Sequence, residues 1–232
     1  MEDPTIISLG GSLIVPKEFT NPTTVDTSFL KNFRQIILDF AGKGKSFFII
    51  AGGGKTCRNY QEAAKQIVEL SVTELDWLGI AATHLNGSLL KTLFKENVFP
   101  KVITSYDKKE EIKESLAVGA GWEPGHSTDF DACLVAEIYS SHTVINMSDV
   151  SFVYDKDPRS SPDAKPQKNL NWDQYLTIVG ETWVAGKNFP FDPVAAKKAR
   201  ELGIKVVIIK GQDLQNFQNF LEGKDFEGTT IT

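Results

Sequence analysis

The sequence predicts an α/β protein with an open, mostly parallel β-sheet sandwiched between helices. Short β-branched apolar runs alternate with stretches of helical spacing along the whole chain. Val206 to Ile209 is apolar at every position, as in a strand covered on both faces. Three apolar runs end in glycine-rich turns, at residues 10–12, 52–54 and 119–125. Ligands of such sheets bind beyond the carboxyl ends of the strands, so the three turns are expected along one rim.

Thr5 to Leu9 reads as the first strand and Gly10-Gly11-Ser12 as the first turn. Pro16 to Pro22 reads as loop. Phe29 to Phe40 carries Leu30, Phe33, Ile36, Ile37 and Phe40 at helical spacing and is stopped by Gly42 and Gly44. Ser46 to Ala51 is a buried strand that runs into Gly52-Gly53-Gly54-Lys55. Cys57 to Leu70 is expected to be helical. Ser71-Val72-Thr73-Glu74 has the form of a capping box opening a long helix to Phe94.

Lys101 to Thr104 and Leu116 to Val118 are expected strands, with a charged helix, Asp107 to Glu114, between them. The loop from Gly119 ends at Ser127, an N-cap for a helix to Tyr139. Thr143 to Met147 is a core strand and Ser151 to Tyr154 a short one. Asp155 to Pro166 is a charged, proline-rich loop and marks a possible boundary between two lobes of one domain. Trp172 to Val179 is a short helix. Asp192-Pro193 starts another, with Asp as N-cap and Pro at the first position, ending at Gly203. Asp213 to Leu221 is a last helix, and Gly228 to Ile231 an edge strand.

The chain has 232 residues, 41% of them hydrophobic, with a formal net charge of −5. That length fits one large α/β domain. The acidic balance speaks against a nucleic-acid or membrane-surface partner. Cys57 and Cys133 form no metal or redox spacing, and His84, His126 and His142 do not complete a zinc cluster. No apolar run approaches membrane-spanning length and the N-terminus has no leader character, so a cytoplasmic protein is expected.

A glycine turn between strand and helix can crowd amides around an anion, and it can equally be a tight connection. Residues 51–58 match neither the dinucleotide nor the P-loop spacing. Three such turns on one rim favour more than one phosphate. Phosphoryl transfer needs amides, a few cations and acidic groups. Gly10, Gly11, Gly53, Gly54, Lys55, Arg58, Asp129 and Asp192 are the candidates. Asp129 also favours a helix dipole, and Asp192 also serves as an N-cap. His126 either donates to a phosphate or fills a turn. Tyr154-Asp155-Lys156-Asp157-Pro158 either holds a nucleoside or is a solvated loop.

Six stretches in order resemble the amino acid kinase superfamily, most closely its archaeal-type uridylate (UMP) kinases. They are Ile7-Ser8-Leu9-Gly10-Gly11-Ser12, Ala51 to Tyr60, Leu78 to Asn86, Pro124-Gly125-His126-Ser127-Thr128-Asp129, Val153 to Pro158, and Phe191 to Lys197. The resemblance spans residue 5 to Ile231. It implies a three-layer αβα fold, transfer of the ATP γ-phosphate to UMP with magnesium, a step of pyrimidine synthesis, and a homo-oligomer, dimer or hexamer. It implies an acceptor-binding lobe over about 1–145 and an ATP-binding lobe over about 146–232.

Carried over by position, Gly10, Gly11 and Ser12 would face the transferred phosphate. Gly53, Gly54 and Arg58 would hold the UMP phosphate, and Thr83, Gly121, Pro124, Gly125, His126, Ser127 and Thr128 would complete the acceptor site. Asp129 would organise the catalytic centre and Asp192 would lie near the ATP phosphates. Gly10, Ser151, Phe152, Tyr154, Lys156 and Asp157 would hold ATP. No residue is assigned as a metal ligand. Ser8 stands where many members of the fold carry lysine, His84 where the family often has arginine, and Ser151-Phe152 replaces an acid and a glycine. Ala51 before the second glycine triplet sets the chain apart from acetylglutamate and isopentenyl phosphate kinases. The alternatives are a binding or storage protein on this fold that has lost turnover, and a sister kinase with another small acceptor.

Overall fold

The computed structural model describes residues 1, 3–17, 24–158, 160–180, 182 and 189–232. Most of the expected Pro16–Pro22 loop, and Arg159 of the later one, lie outside them. The chain opens with β1 (Thr5–Leu9), a single-turn helix α1 (Gly11–Ile14) and α2 (Thr27–Ala41), whose N-cap Asp26 accepts from the Phe29 amide. Next come β2 (Phe47–Ala51), α3 (Gly54–Lys65) and the long α4 (Val72–Phe94). The Ser71–Glu74 capping box forms in both directions. Strands β3 (Val98–Ile103) and β4 (Leu116–Gly119) lead to α5 (Thr128–Tyr139) and β5 (Thr143–Ser148). A ribbon of β6 (Val153–Tyr154) and β7 (Pro166–Gln167) precedes β8 (Asn169–Leu170), α6 (Trp172–Val179) and α7 (Pro193–Leu202). The chain ends through β9 (Lys205–Lys210), α8 (Leu214–Leu221) and β10 (Thr229–Ile231).

Eight strands form one sheet in the order β3-β4-β2-β1-β5-β9-β10-β8. All its pairings are parallel except β10 against β9. The alternation along each strand divides the core. Ile6, Phe48 and Ile50 pack on one face with Ala132, Ala136 and Tyr175, from α5 and α6, and Ala199 of α7. Ile7, Phe47 and Ile49 pack on the other with Phe33, Leu90 and Phe217, from α2, α4 and α8. Each of the buried Ile, Leu and Phe side chains stabilises the fold by about 1.5–3 kcal/mol relative to exposure. The expected three layers are present.

Four local expectations need correction. Residues 107–114 form no helix: Ile112 is their one buried apolar side chain, too little to dock a short helix that is marginal alone. The helix expected over Cys57–Leu70 starts at Gly54 and ends at Lys65, leaving Ile67 85% exposed. The third strand starts at Val98, before the Lys101 expected from its apolar run, and its pairing with β4 shifts register between Val98 and Val102. Finally, β10 is not at the edge: β8, two residues long, pairs outside it.

Candidate active site

Because β4, β2, β1 and β5 are parallel neighbours, their carboxyl ends share one rim. The glycine turns after β1 and β2 touch backbone to backbone. A Cβ on Gly11 would lie 2.1 Å from the Gly54 nitrogen and 2.5 Å from the Gly52 carbonyl carbon. Gly54 has φ +64°, and a Cβ there would lie 2.2 Å from the Gly11 oxygen. No other residue fits either place. The Gly10 amide donates to Met147 at 2.9 Å, and the Gly52 amide to Leu9 at 2.9 Å, which pins both turns to strand ends. Ser12 lies in the single turn of α1.

Lys55 does not stand free beside these amides: its Nζ donates to the Lys17 carbonyl at 2.5 Å and its backbone N–H to Val15 at 3.1 Å. Arg58, one turn along α3, is exposed.

Helix α4 brackets two of the turns. Asn86 Nδ2 donates to the carbonyls of Gly52 (2.7 Å) and Gly53 (3.2 Å). Thr83 Oγ1 accepts from the Gly121 amide at 2.8 Å, and His84 Nε2 donates to the Gly121 carbonyl at 2.8 Å. Asp76 accepts from the Gly125 amide at 2.9 Å, where φ is +97°. Thr83 thus meets the glycine-rich loop through its backbone, and His84 clamps that loop. Asn86 and Asp76 escape sequence reasoning, although Asn86 left a signal as an amide on the buried stripe of α4 that includes Ala82, Leu90 and Phe94.

Two carboxylates meet beside β1. Ser127 caps α5 by accepting from the Asp129 amide at 3.2 Å. Asp129 Oδ1 accepts from Ser8 Oγ (2.8 Å) and Asn146 Nδ2 (3.1 Å), and its Oδ2 from the Asp192 amide (3.2 Å). Burial pushes the Asp129 carboxyl up to about 6, against the Ser8 hydrogen bond, and the Asp192 charge adds to the rise. Asp192 caps α7 with Oδ1 on the Val194 amide (2.7 Å), as expected, while its Oδ2 is enclosed without a partner.

Tyr175 holds this corner from below: its hydroxyl accepts from the Phe191 amide at 2.8 Å and donates to the Phe191 carbonyl. Asn146, an amide within the apolar strand β5, could have been singled out by that context; Tyr175 offered no sequence signal.

Pro124, Gly125, His126, Ser127 and Thr128 follow Gly121 in one loop from β4 to α5. His126 packs against Phe130 in a tilted arrangement, ring centres 4.7 Å apart. The residues expected on the donor side follow β5, at the same rim. Ser151 and Phe152 precede β6, and Phe152 meets Tyr154 edge-on at 6.4 Å. The Val153 amide donates to Thr229 Oγ1 at 2.9 Å, which anchors the ribbon to β10. Lys156 pairs with Asp163 at 2.7 Å, and the Asp157 carbonyl accepts from Ser160 and Ser161. Among the described residues, no group of three or more His, Cys, Asp or Glu could hold a metal by itself.

Residues 3–210 match the amino acid kinase family. A uridylate kinase of Methanospirillum hungatei is 33% identical over 99% of this chain and 95% of its own. One from Pyrococcus abyssi is 33% identical over 97% and 98%. The crystal structure of uridylate kinase from Archaeoglobus fulgidus superposes with a TM-score of 0.81 at 31% identity, covering 99% of this chain and 100% of that one. A UMP kinase structure from Bacillus anthracis, 18% identical with a TM-score of 0.77 over 99% and 96%, shares the fold. With a family match across nearly the full chain and relatives of the same length, the chain belongs to the amino acid kinase family.

Proposed function

We propose that this chain is a nucleoside monophosphate kinase that moves the γ-phosphate of ATP to UMP, giving ADP and UDP. The observation that carries this reading is the rim itself: two glycine turns in backbone contact, with the Asp129–Asp192 pair held beside β1. Backbone amides held in such turns can neutralise phosphate charge without reorganising. Gly53, Gly54 and Arg58 grip the UMP phosphate. Gly121 and residues 124–128 line the rest of the acceptor site, and Thr83 supports them through Gly121. Gly10, Gly11 and Ser12 face the transferred group. Ser151, Phe152, Tyr154, Lys156 and Asp157 take ATP, which divides the chain into an acceptor lobe over about 1–145 and a donor lobe beyond it.

A UMP phosphate oxygen attacks the γ-phosphorus in line as the bond to the ADP oxygen breaks, with no covalent enzyme intermediate. Asp129 keeps the corner in place by accepting from Ser8, Asn146 and Asp192. Magnesium fits the enclosed, unpartnered Oδ2 of Asp192, since this ion is commonly bound by one or two carboxylates together with substrate phosphates. When bound it would neutralise charge on those phosphates. The unpaired Cys57 and Cys133 suit a reducing cytoplasm.

A coupled assay with Mg-ATP or Mg-GTP across the nucleoside monophosphates tests the reading. UDP formation from UMP is the expected result, and its absence would sink the proposal. Ser8 favours a second reading, a nucleotide-binding protein without turnover, because a hydroxyl supplies no cation to the two carboxylates. Binding of UMP and ATP without transfer would select it.

The chain acts as a homo-oligomer through α3 and α4. Among the described residues, the exposed large apolar side chains are Tyr60, Ile67, Val68, Val72, Trp77 and Leu85, all in this one region. Light scattering of the Trp77→Asp, Leu85→Asp double variant is expected to show a smaller species than the wild type. An unchanged mass would reject this surface.

A further inference from the structure

Asp131 is a third buried carboxylate, and it makes no hydrogen bond in the corner just described. It lies one helical position beyond Phe130 in α5 and is 1% exposed. Its Oδ1 is 3.5 Å from His126 Nδ1, too long for a hydrogen bond as they stand, and both atoms are enclosed without a hydrogen-bond partner. The imidazole packs against Phe130, ring centres 4.7 Å apart and tilted by 34°, and 14% of the His126 side chain stays accessible while Nδ1 is enclosed. A buried acid thus lies beside the enclosed nitrogen of a ring that stays partly accessible in the loop from β4 to α5.

We propose that Asp131 is a positioning residue for the acceptor: it decides which nitrogen of His126 carries the proton, and in its protonated form it leaves Nε2–H free to donate to an oxygen of the bound nucleotide. The proposal rests on the kinase reading for the identity of that nucleotide. A neutral Asp131 donates its own proton to Nδ1, which forces the Nε2–H tautomer. An ionised Asp131 accepts from Nδ1–H, which turns Nε2 into an acceptor facing an oxygen-rich ligand. One ring nitrogen's proton is set by the hydrogen bond at the other.

The surroundings favour the neutral acid. Burial pushes the Asp131 carboxyl up to about 8, opposed by the Trp122 amide, with the Asp129 and Glu123 charges adding to the rise. The other groups around the loop are Tyr106, whose hydroxyl donates to Ala120 at 2.7 Å, Asp76 on the Gly125 amide, and His84 on the Gly121 carbonyl. None of them supplies a cation to Asp131 among the described residues. A carboxylic acid kept neutral at pH 7 so that it can donate has precedent in enzyme sites.

The test uses the intact protein labelled with nitrogen-15 in histidine, with His126→Gln assigning the ring among the three histidines. In the wild type the ring is expected to pass from the Nε2–H to the Nδ1–H form as pH rises through about 8, and KM for UMP to rise roughly tenfold above that point, with kcat changing far less. Asp131→Asn keeps a donor toward Nδ1, so both changes should disappear. Asp131→Leu, a second variant in case the first folds poorly, should also lose the tautomer change near pH 8. The same tautomer course in the variants as in the wild type would overturn the coupling. A KM profile in Asp131→Asn that follows the wild type would overturn the role in acceptor binding. Absence of any UMP turnover in the wild type would instead refute the kinase reading, while the ring spectra, with and without UMP, would still decide the pair.

Discussion

Gly11→Ala is expected to abolish phosphoryl transfer and to destabilise the protein by about 3 kcal/mol or more. The new methyl group would sit 2.1 Å from the Gly54 nitrogen and 2.6 Å from the Gly52 oxygen. Both are backbone atoms, so relief cannot come from a rotamer change and must come from separating β1 and β2 at the rim. That separation would also displace Gly53 and Gly54 from the position proposed for them at the acceptor phosphate. Urea unfolding and the coupled assay check it together. Gly42→Ala is the control: its Cβ would meet only ordinary contacts, the nearest at 3.4 Å, at φ −62°. That change should be neutral or stabilise by up to about 1 kcal/mol. A Gly11→Ala protein with wild-type midpoint and turnover would mean that the two turns are not in the contact described.

Asp129→Asn should lower kcat by about 10²–10³ while KM for UMP moves little. The amide cannot accept from Ser8, Asn146 and Asp192 as the carboxylate does, because its NH₂ would face one of those donors. The position of Asp192 should therefore fail with it. The ionised form is the one that accepts all three, so wild-type kcat is expected to rise with pH through about 6, and that limb should vanish in the variant.

Stability should run the other way. The Asp129 carboxyl titrates near 6 in the folded chain against an ordinary value of 3.8, so over that interval the folded state holds the proton more tightly than the unfolded state. This group's contribution to stability then falls as pH rises from about 4 to about 6, by on the order of 3 kcal/mol. A kcat profile flat through pH 6, or a variant retaining more than a tenth of wild-type turnover, would remove Asp129 from the catalytic centre.

The unused oxygen of Asp192 and the neutral Ser8 belong to the same corner. With a hydroxyl on the first strand, the two carboxylates meet no charged group from β1, and desolvation is the largest influence on Asp129.

Alternating apolar runs and helical spacings determined the layers, and with them the placement of the glycine turns on one rim. Those signals are local: a side-chain period of two or 3.6 depends only on neighbours along the chain. The Ser71–Glu74 box, the Ser127 cap and the Asp192-Pro193 start were legible for the same reason, since a cap is closed within about four residues.

Only the tertiary structure decided the contacts between distant segments. It showed that Gly11 meets Gly54, that Asn86 holds the Gly52 and Gly53 carbonyls, and that Tyr175 fixes the residue before Asp192. It also turned Lys55, which the sequence placed beside the second glycine turn, back onto the Lys17 carbonyl. The failed helix at 107–114 has the same origin, because helical propensity in so short a segment is settled by the apolar surface it can bury. Asp131 is the clearest case. Two residues after Asp129 it reads as one more acid in a first helical turn, and only the folded chain buries it beside a histidine of the loop that precedes α5. The pattern along the chain shows where groups can go. Desolvation and distance, which exist only after folding, set what they can do there.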